Sequence, residues 1–184
     1  MTALVEIKPE TFGVEVALAY ATSDNLAGRP VYARAAAFLH PDAAQCLARA
    51  CKLAAALGYR FRIYDAFRPK EAHDQLWAAR PDPEFVADPT QGSDHSRGVA
   101  IDLTLIDKDG RALDMGTAFD ACEKSSYHGS TDIPLQAQRN RFILLGVMVA
   151  AGWNHNPHEW WHYQLPGSRS YPLLSEAEAK TGLA

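Results

Sequence analysis

The chain has 184 residues, 47% of them apolar and 22% charged, proportions ordinary for a folded protein and expected to form a single domain over 1–184. That composition excludes disorder, a collagen-like rod and a disulfide-stapled miniprotein. Eighteen basic against 22 acidic residues leave a formal charge of −4, which argues against a protein that grips nucleic acid through its phosphates.

From the N-terminus, Met1–Pro9 lacks the basic flank and apolar run of a signal peptide. The longest apolar stretch, Phe142–Trp153, has 12 residues with two glycines, too short to span a bilayer. Cys46, Cys51 and Cys122 form no CxxC pair, so reduced thiols and a cytoplasmic location are expected. Asp42–Leu57 reads as a helix with an apolar stripe, followed by Gly58 as its stop. Tyr59–Tyr64 (YRFRIY) alternates apolar and polar positions and predicts a strand. Pro69–Ala79 reads as a second helix with Pro at its first position. Arg80–Gly98 is a polar loop of a length usually tied to function. Val99–Ile106 (VAIDLTLI) predicts a buried strand, Asp107–Gly110 a turn, Gln136–Ala151 a helix and Glu159–Leu165 a short aromatic strand. This mixed order, without regular βαβ spacing or a Gly-rich phosphate loop, predicts an α+β fold.

Three constellations carry chemistry. In SDHSRGVAID, His95 precedes Asp102 by seven residues, and an ionised Asp102 inside an apolar strand needs compensation. A divalent metal shared by the two would supply it; an ion pair from Asp102 to Arg97 or Arg62 is the alternative. In Glu159-Trp-Trp-His162, aromatic walls strengthen local electrostatics, so His162 could be a third ligand and Glu159 a base beside the metal. An aromatic core strand with a hydrogen-bonded His explains the same residues. His158–His162 also matches H-E-x-x-H, but that zinc pattern requires a helix, and Pro166 and the strand-like Trp-Trp-His-Tyr oppose one. In YDAFRP, Arg68 is either directed into a cleft or a surface residue near the N-terminus of its own helix; a cation lacks support there, which favours a partner or an anionic substrate. Two His and one carboxylate leave one open tetrahedral position, the arrangement of catalytic zinc, with Glu159 as base and Arg68 facing the oxyanion. His40 and His73 read as exposed, His155 as a loop residue, and His128 as either a pocket-closing or a mobile-loop residue.

Taken in order, AYATSDNLAGRPVY (19–32), YDAFRP (64–69), SDHSRGVAIDLTL (93–105), DMGTAFD (114–120) and EWWHY (159–163) resemble the VanX-type D-alanyl-D-alanine dipeptidases among the zinc D-Ala-D-Ala peptidases. The resemblance runs from about Tyr20 to Tyr163. It implies a D-Ala-D-Ala peptidase/Hedgehog-like fold, with a small, mostly antiparallel sheet carrying the zinc site between flanking helices. It implies one Zn2+ per chain on His95, Asp102 and His162, Glu159 as catalytic base, Arg68 on the tetrahedral intermediate and Asp120 on the substrate ammonium. Tyr20, Tyr32, Asp65 and Ser93 would line or support the pocket. The implied reaction is hydrolysis of D-Ala-D-Ala; a D,D-carboxypeptidase or endopeptidase and a non-catalytic zinc-binding module are the alternatives. The partner is then a small dipeptide, neither nucleic acid nor membrane, with a homo-oligomer left open. Two departures stand out: an acidic Asp94 beside His95, expected to weaken binding of the substrate carboxylate, and a shorter loop at Pro81–Gly92.

Overall fold

Strict alternation in YRFRIY and an unbroken apolar run in VAIDLTLI describe two strands with different surroundings, one half-covered and one covered on both faces. The computed structural model, which describes residues 3–184, bears this out. Met1 and Thr2, which open the segment read for a leader, lie outside the described residues.

In chain order the elements are β1 (Val5–Glu6), α1 (Pro9–Phe12), β2 (Glu15–Val16), β3 (Phe38–Leu39), α2 (Pro41–Ala56) and β4 (Arg60–Asp65). They continue with α3 (Lys70–Ala79), β5 (Ala100–Ile106), α4 (Leu135–Ala150), β6 (Asn154–His155), β7 (His162–Gln164) and α5 (Glu176–Ala179). Two sheets form: β1 pairs with β3, and five strands lie in the order β2-β4-β5-β7-β6. Among the described residues only β2–β4 is parallel; the other pairings are antiparallel. The α+β architecture with a mostly antiparallel sheet is therefore the observed one.

The helices begin and end within a residue of the expected positions. α2 starts at Pro41 rather than Asp42, because the His40 ring accepts from the Asp42 N–H at 3.2 Å and caps the helix. It packs Ala43, Leu47, Ala50 and Ala54 into the core beside β4 and α4. β5 is buried at every position and is central, between β4 and β7. Gly98 turns the chain into it at φ +69, with His40 backbone and Leu4 so close that a Cβ would collide.

Glu159–Leu165 departs from expectation. Only His162–Gln164 is strand; Glu159 is irregular, and Trp160 and Trp161 lie in a turn. Asn156 causes this: its side-chain oxygen accepts from the His158 N–H at 3.0 Å, and the Trp160 N–H leaves the sheet for the Ser126 carbonyl. No helix covers His158–His162, in line with the reading against H-E-x-x-H. No helix among the described residues is long and apolar enough to cross a membrane.

Candidate metal centre and catalytic cavity

Register brings the centre together. Asp102 on β5 lies opposite Asp65 on β4 and His162 on β7, so the three occupy one row across the sheet. A shift in register between Ile63 and Asp65 ends the regular pairing there. The short helical turn His95–Arg97, running into Gly98, lays His95 against this row.

One ligand atom each from His95, Asp102 and His162 falls within 4.8 Å of the others. His162 Nδ1 is 3.0 Å from Asp102 Oδ1 and 3.1 Å from His95 Nε2. His95 Nδ1 lies 2.7 Å from the Ala66 carbonyl, which can only accept, so Nδ1 carries the proton and Nε2 offers its lone pair to the cluster. Burial acts to raise the Asp102 carboxyl, yet His95 and His162 outweigh it and hold Asp102 well below the usual range. For His95, burial acts to lower its basicity, but Asp102 prevails and the net shift is upward. Two imidazoles and a buried carboxylate that together draw in positive charge, with one His already oriented by a carbonyl, fit a divalent zinc. Neither alternative partner of Asp102 is used: Arg62 pairs with Glu15 at 3.0 Å, and Arg97 lies 3.7 Å from Asp94.

Glu159 is 3.9 Å from His162 Nδ1 and accepts from the Asn156 amide at 2.8 Å. Burial, opposed by His162 and reinforced by Asp102 and Asp120, pushes its carboxyl up to about 8. Arg68 is buried, donates twice to Asp65 Oδ2 at 2.9 and 2.7 Å, and reaches 3.9 Å from Asp102. The aromatic ring of Tyr20 lies 4.7 Å from the Arg68 guanidinium. The Tyr20 hydroxyl donates to Asp120 at 2.8 Å. Asp120 adopts φ 59, uncommon for a residue with a side chain, and burial raises its carboxyl to about 7.

These groups line one cavity of about 250 Å³, to which Tyr20, Arg68, Ser93, His95, Asp102, Asp120, Glu159 and His162 all contribute. Tyr32 and Asp65 do not reach it. They stand behind Arg68, Tyr32 donating to Asp65 at 2.7 Å while Asp65 holds the guanidinium. His128 also lies away from the cavity, edge-on to His155 and 3.5 Å from the Tyr163 hydroxyl. His73, expected at the surface, is 1% exposed because α3 turns it inward with Ala72 and Leu76. Its Nε2–H donates to the Ala87 carbonyl at 2.8 Å, leaving Nδ1 toward Arg68 at 3.5 Å.

Sequence reasoning passed over Asn156 and Arg141. An Asn-Pro pair three residues before Glu159 is a turn signal that could have pointed to Asn156. Arg141 follows the polar run Gln136–Asn140 of its helix and gave no such signal. Fully buried, it donates to the carbonyls of Met115, Ser125 and Tyr127 at 2.7–2.8 Å, fastening the segment that bears Asp120.

A three-donor metal cluster with a carboxylate beside it, on an α+β framework, defines a metal-dependent hydrolase of the zinc peptidase class. Residues 2–176 match the peptidase M15 family described as D-ala-D-ala dipeptidase, and the chain belongs to that family. It is 44% identical over 175 residues to the D-alanyl-D-alanine dipeptidase of Escherichia coli K12, covering 95% of this chain and 91% of that protein. The D-alanyl-D-alanine dipeptidases of Enterococcus faecium and Enterococcus faecalis are 34% and 36% identical over 174 residues, covering 83% of this chain and 86% of each relative. The protein is a peptidase with zinc as its cofactor.

Proposed function

We propose that this protein hydrolyses free D-alanyl-D-alanine to two D-alanines, within one domain and in the cytoplasm. His95, Asp102 and His162 would hold one zinc per chain. The observation that carries the reading is a second buried acid beside the metal cluster. Asp120 takes its hydrogen bond from a neutral phenol and has no cationic partner among the described residues, so it suits the ammonium end of a short substrate. The names of the relatives support the D,D-dipeptide as substrate. The three free cysteines agree with a reducing compartment.

Zinc, when bound, supplies Lewis acidity at the scissile carbonyl and acidifies water. Glu159 accepts the proton of the attacking water and returns it to the leaving amine, a two-way task suited to a carboxyl that burial makes more basic. Arg68, fixed by Asp65, stabilises the oxyanion without having to reorganise. Tyr20 and Ser93 support the walls, the Ser93 hydroxyl accepting from the His95 N–H at 3.2 Å.

Amine release by the zinc-loaded protein tests this on D-Ala-D-Ala, L-Ala-L-Ala and N-acetyl-D-Ala-D-Ala in parallel. Cleavage of the free D,D-dipeptide alone is the expected result. Cleavage of the acetylated compound would move the protein to the D,D-carboxypeptidases, and cleavage of none would make the domain a zinc-binding module.

A further inference from the structure

The cavity holds more acids than bases. Glu84, Asp94, Asp102, Asp120 and Glu159 line it, against only two guanidiniums, Arg68 and Arg169. A dipeptide carries a carboxylate as well as an ammonium, and a carboxylate entering such a field needs a cation. Arg68 is already engaged with Asp65 and close to Asp102.

Arg169 is differently placed. It is exposed, lies on the short helical turn Ser168–Ser170, and enters no ion pair among the described residues. One of its N–H groups donates to the Gln91 carbonyl at 3.0 Å, which steadies the side chain beside the cavity and leaves its other donors free. The same carbonyl accepts from Arg97 at 3.2 Å, and Arg97 Nε lies 3.7 Å from Asp94. The acidic Asp94 is thus offset by Arg97, and Arg169 is left to act on a ligand.

We propose that Arg169 binds the free carboxylate of the substrate, so that Asp120 and Arg169 together read the two charged ends of a dipeptide. A guanidinium suits this role because its planar fork presents paired donors to a carboxylate. The inference rests on the dipeptidase reading and adds to it a residue that selects a free C-terminus. The contact is made equally in ground and transition states, so its loss raises KM and spares kcat.

The test compares wild type, Arg169→Gln and Arg169→Lys on D-Ala-D-Ala and on its C-terminal amide, with zinc content measured for each. Arg169→Gln should raise KM for the free dipeptide on the order of tenfold, about one charge-assisted hydrogen bond. Its kcat and its KM for the amide should stay as in wild type, and Arg169→Lys should recover part of the loss. A uniform effect on both substrates, or none, in a protein that does cleave D-Ala-D-Ala would overturn the anchor alone. A wild type inert toward D-Ala-D-Ala would overturn the dipeptidase reading with it.

Discussion

At Asp102, a carboxylate sits in a seven-residue strand with no exposed position, and the cost of that burial shapes everything around it. His95, His162 and Arg68 all converge on this one group. Glu159 stands beside the cluster rather than within it: Asn156 holds one carboxylate oxygen, and His162 Nδ1 is 3.9 Å away. Removing its charge should therefore spare the metal. Glu159→Gln is expected to lower kcat by about 10²–10⁴, the usual share of a general base, while zinc stoichiometry by metal analysis stays at wild-type level. Normal turnover in that variant would remove Glu159 from the reaction. The candidate ligands and the candidate base were legible as residue types, Asp102 above all because a charged group inside an apolar run demands an explanation. Asn156 and Arg169 were not, since each owes its place to a contact that only folding creates.

Among the elements, α2, α3, β4, β5 and α4 lie within about a residue of where period and capping put them, because those signals are local. The segment before β7 was misread as strand because aromatic propensity ignores the Asn156 turn and the Ser126 carbonyl that capture it. α4 does more than pack. Through Arg141 it satisfies three carbonyls of the irregular segment between β5 and α4, and burial lowers this guanidinium to about 10. Arg141→Met fills similar space but leaves those carbonyls without their donor. A loss on the order of 3 kcal/mol is expected, read as a lower urea midpoint at unchanged slope, with a raised KM as the Asp120 segment loosens. An unchanged midpoint would show that water replaces the guanidinium at little cost.

Taken as a whole, the molecule buries two imidazoles in neutral form. Burial, with His155 and Arg141 nearby, lowers His128 to about 3, and burial with Arg68 nearby lowers His73 to about 4. Both values fall below the ordinary 6.5, so the unfolded chain binds more protons between that value and the folded ones. Their contribution is complete above pH 6.5 and is lost as the pH falls toward 4 and 3. For His128 the loss between pH 7.5 and pH 5 is on the order of 2 kcal/mol, or a few degrees in Tm for a chain of this size. His128→Phe cannot take up that proton, so its Tm should fall less over the same interval in matched thermal scans. Parallel Tm curves for the two proteins would mean that His128 takes up its proton in the fold at the same pH as in the unfolded chain.

Sequence alone determined the main elements, the α+β class and the candidate set of metal-binding side chains, because periodicity, capping and a buried charge are properties of neighbouring residues. Tertiary structure decided which partners those side chains meet. Asp102 lies against His162 across 60 residues because antiparallel register aligns β5 with β7, and it meets Arg68 rather than Arg62 or Arg97 because the latter two are taken by Glu15 and Asp94. His73 went inside because α3 presents that face to the core, and Arg169 came to the cavity because the chain after β7 returns to the Gln91 carbonyl. Long-range choices of this kind depend on how covered surfaces and unpaired charges are shared out in three dimensions, which no local pattern along the chain encodes.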